Sequence, residues 1–215
     1  MKYLKLFENF NQSEIDEICR KYNIKNYTIN PDGSIDVDGN VWLSDISLTE
    51  LPLKFNKVYG SFDCSWNKLT NLEGCPNYVG DNFSCVANKL TSLIGCPNYV
   101  GGNFHCNGNK LTSLEGCPDE VRGNFRCGAN KLTSLEGPKE IGGEFTCNSN
   151  PINFITRLFG DVKIYLEYQE TYNFLRKDNK IVRHLLEEAL KDYNEYYKKY
   201  VSIPTIYKIK GYTYI

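Results

Sequence analysis

The sequence is poor in the residues and motifs on which most catalytic and metal centres depend. It contains two histidines, His105 and His184, among its 215 residues, and no pair of cysteines has the spacing C-x-x-C. A zinc site would need such ligands to converge. The phosphate-binding sequence G-x-x-x-x-G-K-[ST], the zinc-protease sequence H-E-x-x-H and the serine-hydrolase sequence G-x-S-x-G are absent as well. We therefore expect a protein that is not an enzyme and that carries no metal and no cofactor.

Two further absences concern membranes and nucleic acids. No run of about 18 apolar residues occurs, so we expect no transmembrane helix. The segment from Met1 to Phe7 is short and is followed at once by Glu8, so we expect no secretory signal. The 25 basic and 26 acidic side chains give a formal net charge of −1, and such a chain does not attract polyanions as a whole. Neither a membrane nor nucleic acid is expected as a partner.

The sequence does contain a block of 21 residues that recurs along its middle, with the approximate form G-N-F-x-C-x-x-N-K-L-T-S-L-E-G-C-P-x-x-V. Its repeated positions are Phe62, Phe83, Phe104, Phe125 and Phe145; Cys64, Cys85, Cys106, Cys127 and Cys147; Asn67, Asn88, Asn109, Asn130 and Asn150; Leu69, Leu90, Leu111 and Leu132; and Leu72, Leu93, Leu114 and Leu135. A fixed period of this length predicts a solenoid. Solenoids mostly present an extended binding surface.

The repeats extend beyond the clearest blocks at both ends. Val41 lies 21 residues before Phe62, and Phe145, Ile152 and Ile155 mark a last turn. This predicts a solenoid of about six turns of 20–21 residues over residues 40–157. The segments 1–39 and 158–215 lack the repeat. Because the ends of a solenoid need atypical segments that cover the terminal apolar faces, we interpret them as an N-terminal and a C-terminal cap.

The N-terminal cap is predicted to contain a helix and a hairpin. Ser13 and Asp16 resemble a capping box, which predicts a helix over about residues 13–22. Alternating apolar residues at 27–29 and 35–37 flank a turn sequence and predict a two-stranded hairpin.

The C-terminal cap is predicted to be mainly helical. Apolar residues at helical spacing within 165–175 and 181–197 predict two helices, and Asp178 is the expected N-cap of the second. Alternation over residues 206–215 predicts a terminal strand.

The segment from Phe104 to Leu114 matches the pattern L-x-L-x-x-N-x-L-x-x-L, with Phe104 and Cys106 in the two strand positions. In this respect the chain resembles the short form of the leucine-rich repeat family. The resemblance implies an α+β fold, in which a leucine-rich repeat solenoid with a short parallel sheet lies between the two caps. Strand alternation directs Phe104 and Cys106 inward and His105 outward. Asn109 is expected to turn inward and to bond backbone groups of its own turn and of the next coil.

A narrower resemblance involves sequences outside this pattern. Residues 5–10, the hairpin sequence N-P-D-G-S-I-D-V at 30–37, the blocks N-K-L-T-S-L-E-G-C-P and the C-terminal K-G-Y look like those of leucine-rich repeat proteins encoded by large tailed bacteriophages. The resemblance implies a protein-recognition role, with a host protein as partner and the host cytoplasm as the place of action.

Nine cysteines would suggest a disulfide framework in a small secreted protein. Eight of them, however, occupy repeated positions: the five that follow the phenylalanines, and Cys75, Cys96 and Cys117. Free cysteine is among the most buried residue types. We therefore expect two rows of buried thiols in a reduced, cytoplasmic protein.

Positions that belong neither to the core nor to a turn vary between repeats, and these are the candidates for binding. Trp and Arg among them are frequent anchors of protein interfaces. The predicted protein-binding residues are Asp63, Ser65, Trp66, Ser84, Val86, His105, Asn107, Arg126 and Asn148. They predict an unidentified protein partner on the concave face of the sheet. A polar face without any ligand is the alternative interpretation.

Two other surfaces stay open as candidates. The first is a basic stripe formed by the lysines that follow the repeated asparagines, which would suit a nucleic acid or a nucleotide. Its members are Lys68, Lys89, Lys110 and Lys131. We expect Glu73, Glu115 and Glu136 to offset this charge. The second surface is the tyrosine-rich C-terminal cap, which would contact a partner or a second copy in a monomer or weak dimer. Its tyrosines are Tyr193, Tyr196, Tyr197 and Tyr200.

Overall fold

Two parallel sheets dominate the fold. The computed structural model describes residues 11–135, 137–152, 162–172, 174–175, 180–197 and 213–215. The strands of the first sheet are β3 (Val41–Trp42), β5 (Phe62–Asp63), β7 (Phe83–Ser84), β9 (Phe104–His105), β11 (Phe125–Arg126) and β13 (Phe145–Thr146). The strands of the second are β1 (Tyr27–Ile29), β2 (Ile35–Val37), β4 (Phe55–Val58), β6 (Tyr78–Val79), β8 (Tyr99–Val100), β10 (Glu120–Val121) and β12 (Glu140–Ile141).

The chain is a β-solenoid in which each coil contributes one strand to each sheet. All pairings in the first sheet are parallel and join residues one repeat apart, as Phe62 with Phe83 and Phe83 with Phe104. Six strands, one at the start of each coil, give five complete coils from the first strand to the last. The prediction of one short parallel sheet was incomplete, because the return segment of each coil also forms a strand. In those two-residue strands the valine is buried and the preceding side chain faces outward.

The repeated phenylalanines form a stack through the core. Phe62, Phe83, Phe104 and Phe125 are fully buried. Neighbouring rings in the stack, Phe145 included, are 4.9–5.8 Å apart between centroids and nearly parallel. Stacking of this kind adds about 0.5–1.5 kcal/mol per pair to the gain from burial. The strand spacing of about 4.8 Å therefore suits the phenylalanine stack.

The repeated asparagines form a buried ladder beside the phenylalanines. Asn88 donates from Nδ2 to the carbonyl oxygens of Cys64 at 3.0 Å and Cys85 at 3.2 Å, and its Oδ1 accepts from the backbone N–H of Leu69 at 3.0 Å. The same bonds recur at Asn109 and Asn130. The prediction of inward amides is confirmed, but they bond their own turn and the preceding coil, not the next coil.

The cysteines after the phenylalanines are buried and form no disulfide, as predicted. The sulfur atoms of the first four also lie close to the strand of the following coil. Cys64 Sγ is 3.5 Å from the carbonyl oxygen of Ser84, and Cys106 Sγ is 3.5 Å from that of Arg126. A thiol is a weak hydrogen-bond donor. Cysteine thus fills a narrow position and also supplies a weak bond between coils.

A helix and a hairpin precede the first coil. Helix α1 spans Gln12–Lys21, close to the predicted 13–22. Its capping box consists of Asn11 and Glu14 rather than Ser13 and Asp16, so the N-cap lies two residues earlier than the sequence suggested. Strands β1 and β2 pair antiparallel as predicted, and β2 then pairs parallel with β4. Ile15 and Cys19 of the helix are buried in the same core as the coils.

Within the described residues, two helices follow the last coil. Helix α2 spans Val162–Tyr172, and helix α3 spans Arg183–Tyr197 and buries Leu186, Ala189, Leu190 and Tyr193. Ile181 precedes α3 instead of belonging to it and lies in β14 (Lys180–Ile181), which pairs parallel with β15 (Thr213–Tyr214). The predicted N-cap Asp178, Ile155 of the last turn, residues 5–10 and residues 206–212 of the predicted strand lie outside the described residues.

Candidate binding surface

The outward positions of the six-stranded sheet form two aligned rows, which we call the variable face. The first row contains Asp63, Ser84, His105, Arg126 and Thr146, joined by the strand register. The second row contains Ser65, Val86, Asn107, Gly128 and Asn148. All nine predicted binding residues lie in these rows or directly beside them. The repeat therefore brings them to one face although they are spread over 86 positions of the sequence, from residue 63 to residue 148.

The predicted residues differ in how far they are accessible. Trp66 is 65% exposed, and Arg126 and Asn148 are exposed as well. Ser65, by contrast, is 3% exposed. Its hydroxyl lies 2.6 Å from that of Ser84 and accepts the backbone N–H of Val86. Ser65 therefore joins neighbouring coils instead of standing free on the surface.

A shallow cavity of about 420 Å³ opens at the N-terminal end of the variable face. Its lining brings together five of the predicted residues and two that sequence reasoning missed. The predicted ones are Asp63, Ser65, Trp66, Ser84 and Val86. The missed ones are Ser44 and Asp45 of the first coil. His105, Asn107, Arg126 and Asn148 lie further along the same face and do not line the cavity.

Trp42 is a second exposed tryptophan that the sequence reasoning missed. It is 59% exposed and pairs with Asp63 in the register of β3 and β5. The signal was available in the sequence, since Trp42 lies 21 residues before Asp63, one repeat earlier. The variable face therefore begins with a tryptophan in its first row.

A left-handed backbone conformation recurs beside the second row. Trp66 has φ 58°, Ala87 φ 54°, Gly108 φ 69°, Ala129 φ 51° and Ser149 φ 59°. Small residues fill most of these positions, because a side chain in this conformation is crowded by its own backbone. Trp66 is the exception, and this turn directs its indole to the wall of the cavity.

The middle of the variable face contains two polar atoms without a hydrogen-bond partner among the described residues. They are Nε2 of His105 and Oδ1 of Asn107, both covered from solvent. Burial lowers the pKa of His105, and the neighbouring Arg126 guanidinium lowers the pKa further. His105 is therefore neutral at pH 7, and Arg126 supplies the positive charge at this part of the face.

The four lysines of the predicted basic stripe are exposed and in register. Lys89 donates its backbone N–H to the carbonyl oxygen of Leu69 at 2.9 Å, and Lys110 donates to that of Leu90 at 2.8 Å. Within the described residues no close ion pair joins these lysines to Glu73 or Glu115, which are exposed as well. Glu136 lies outside the described residues. That the glutamates offset the charge of the stripe stays a prediction.

Seven of the eight thiols in the cysteine rows have a pKa above the ordinary value. Burial is the main reason why the pKa values of Cys85, Cys96 and Cys106 lie well above the ordinary value. Cys117, half-buried beside a second cavity of about 640 Å³, has a pKa raised to about 12 by burial and by Asp119. A thiol with so high a pKa is a poor nucleophile at neutral pH, because the thiolate is the reactive form.

The tyrosine-rich helix α3 presents a smaller surface. Tyr193 is 5% exposed and Tyr196 is 76% exposed, while Tyr197 packs against both rings. Tyr200 lies outside the described residues. Within the part of the chain that the structure describes, no three His, Cys, Asp or Glu side chains are grouped to hold a metal ion. No helix in that part is long and apolar enough to cross a membrane.

Comparison of the chain with protein-family models, curated proteins and solved structures finds no match in any of the three.

Proposed function

We propose that this chain is a non-enzymatic binding module that recognises a protein through the variable face. The observation that carries the proposal is the contrast between the two kinds of repeated position. Inward positions keep the same residue type from coil to coil, whereas the outward positions of the first sheet change in charge, size and polarity. Trp42, Trp66 and Arg126 are exposed there. Exposed side chains of these types are frequent anchors at protein interfaces.

The proposal extends to family and setting. The buried asparagine ladder and the inward leucines support membership of the leucine-rich repeat class, with segments 1–39 and 158–215 as caps. The resemblance to proteins of large tailed bacteriophages supports a host protein as the partner and the host cytoplasm as the place of action. A monomer or weak dimer is the form in which such a module would act.

A pull-down from host lysate tests the proposed surface. The partner should be lost when Trp66, His105 and Arg126 are all changed to alanine, because these changes remove aromatic and charged groups along the length of the variable face. The matched control changes Lys57 and Glu140 to alanine. These two residues are exposed on the outer face of the other sheet. A partner that is retained by the triple variant, or lost equally by the control, would place the interface elsewhere, with the tyrosine-rich helix α3 as the next surface to examine.

A second candidate function is favoured by the lysine stripe, whose four side chains are exposed and in register. Four exposed lysines, one on each of four successive coils, would suit the phosphates of a nucleic acid or a nucleotide. Binding of this kind weakens steeply as salt increases. Lys89→Glu combined with Lys110→Glu should abolish it, and loss of binding to a labelled single strand in this variant would favour this function over the first.

A further inference from the structure

The cavity at the N-terminal end of the variable face combines an aromatic wall with two carboxylates. Trp66 forms the exposed wall, and Asp45 and Asp63 contribute the negative charges. Within the described residues, neither carboxylate has a cationic partner within ion-pair distance. The cavity thus carries negative charge that the chain itself does not neutralise.

Hydrogen bonds hold the floor of this cavity in place. Oδ1 of Asp63 accepts the backbone N–H of Ser65 at 2.9 Å, which fixes the orientation of the carboxylate. Ser65 and Ser84 share the 2.6 Å hydroxyl contact, and the backbone N–H of Asp45 donates to the carbonyl oxygen of Ser65 at 3.0 Å. A ligand would meet a preformed arrangement, which reduces the entropy lost on binding.

The choice of tryptophan at position 66 is the second feature of the cavity. The left-handed turn recurs from coil to coil, and large residues rarely occupy such a position. The equivalent positions of the next coils contain Ala87, Gly108 and Ala129. An indole that is 65% exposed gains little from packing, so protein stability does not account for its presence at this turn.

We propose that this cavity binds the guanidinium group of an arginine side chain from an extended segment of the partner. The proposal rests on the proposed protein-binding function and names the chemistry of its partner. A guanidinium stacks on an indole face and donates paired hydrogen bonds to carboxylates, whereas an ammonium group does neither as well. A cavity of about 420 Å³ is large enough for such a side chain.

The charge distribution of the variable face gives the partner segment a direction. Asp63 lies at the N-terminal end of the first row, and Arg126 lies three strands further in the same row. At the usual strand spacing this separation is about 14 Å. A segment with its arginine in the cavity would therefore meet a positive charge further along the face. An acidic residue is the complementary choice there.

Binding of a short peptide to the full chain tests the proposal. The probe is the acetylated and amidated tripeptide Gly-Arg-Gly, and the matched control probe replaces its arginine with the neutral isostere citrulline. Because the chain has two tryptophans, Trp42→Phe leaves Trp66 as the sole indole reporter of binding. We expect saturable quenching of Trp66 fluorescence by the arginine peptide and at least tenfold weaker binding of the citrulline peptide.

Two variants locate the charge that is recognised. Asp45→Asn and Asp63→Asn, made together, should weaken binding of the arginine peptide at least tenfold. Both changes preserve shape: asparagine tolerates the left-handed conformation of residue 45, and its amide oxygen can still accept the N–H of Ser65. Arg126→Gln lies outside the cavity and should leave binding of the tripeptide within twofold of its original value. Circular dichroism checks that every variant is folded.

The outcomes separate this proposal from the proposed function. Equal binding of the arginine and citrulline peptides, or displacement of the arginine peptide by a neutral oligosaccharide with no effect of salt, would overturn the arginine site and favour a glycan. A lysate partner that requires Trp66, His105 and Arg126 but still binds the double asparagine variant would also overturn the arginine site, while the protein-binding function would stand. Tight binding of the arginine peptide together with unaltered capture by the triple alanine variant would contradict the proposed interface and would leave the cavity as an arginine site that this partner does not use.

Discussion

Trp66 adopts a backbone conformation that is unfavourable for its own side chain. A left-handed conformation costs an L-residue about 1–2 kcal/mol, and φ at Trp66 is 58°. Gly108, two coils further, occupies the equivalent position with φ 69° and bears no such cost, because glycine has no β-carbon. The exposed indole offsets little of the cost through burial. Tryptophan at this position therefore lowers the stability of the fold while it provides an exposed aromatic surface.

The replacements of Trp66 by glycine and by alanine test this cost. Both remove the indole, but only glycine relieves the left-handed conformation, so Trp66→Gly should be more stable than Trp66→Ala by about 0.5–1 kcal/mol. Urea unfolding of the two variants measures the difference. At Trp42, an exposed residue of β3 without positive φ, the order should reverse, because glycine weakens a strand. A more stable alanine variant at position 66 would mean that the turn carries no strain.

At the scale of the structural element, the buried asparagine ladder holds the coils in register. Asn109 donates to the carbonyl oxygens of Cys85 at 3.0 Å and Cys106 at 3.1 Å, and it accepts from the backbone N–H of Leu90 at 3.1 Å. These three backbone groups belong to two different coils. One amide therefore pairs groups that would otherwise be buried without partners.

Asn109→Ala should destabilise the protein by about 3–5 kcal/mol, because each buried group left without a partner costs about 1–3 kcal/mol. The free energy of unfolding in urea measures the loss. Asn98→Ala is the matched control, since Asn98 lies on an exposed turn and its replacement should change stability by less than about 0.5 kcal/mol. Similar values for the two variants would show that the ladder contributes little.

The features predicted correctly from the sequence are those that recur in several repeats. Phe104, Cys106 and Asn109 each have equivalents in the neighbouring coils, so their inward orientation followed from one physical argument applied to every repeat. The repeated strands of the second sheet, such as Tyr99–Val100, were missed although they are no shorter than those of the first sheet, such as Phe104–His105. Each return segment offers one inward apolar residue, the valine, whereas Phe104 and Cys106 form an alternating inward pair that predicts a strand.

The cavity was predicted only in part, and the cause lies in the first coil. Asp63 and Trp66 follow a clear block, whereas Asp45 lies in a coil where Ile46 replaces the usual asparagine. The ladder still reaches this coil from the next one: Asn67 accepts from the backbone N–H of Leu48, as the later asparagines do from the equivalent leucines, and also from that of Ile46. A repeat that has lost its signature residues can therefore keep its shape, and its surface residues escape detection from sequence.

For the whole molecule, the central question is how independent the coils are. Each strand of the first sheet pairs only with the strands one repeat before and after it, as expected of a solenoid whose stability is a sum over repeats and their interfaces. The chain already tolerates one shorter coil, since Phe125 and Phe145 are 20 residues apart and still pair in register. The residue that is missing there belongs to the return segment near Pro138, outside both strands.

Deletion of one repeat in register should therefore leave a folded, shorter solenoid. Removal of residues 84–104 joins Phe83 to His105, so Phe83, Cys106 and Asn109 keep the spacing of an intact coil. We expect cooperative urea unfolding with a reduced m-value, because less surface is exposed when a shorter chain unfolds. Removal of residues 85–104 is the matched control: one extra residue would turn His105 inward and Cys106 outward, since a shift of one position exchanges the two faces of a strand. That variant should lose the cooperative transition. If the two deletion variants unfolded in the same way, the register of the strands would not determine whether the coils fold.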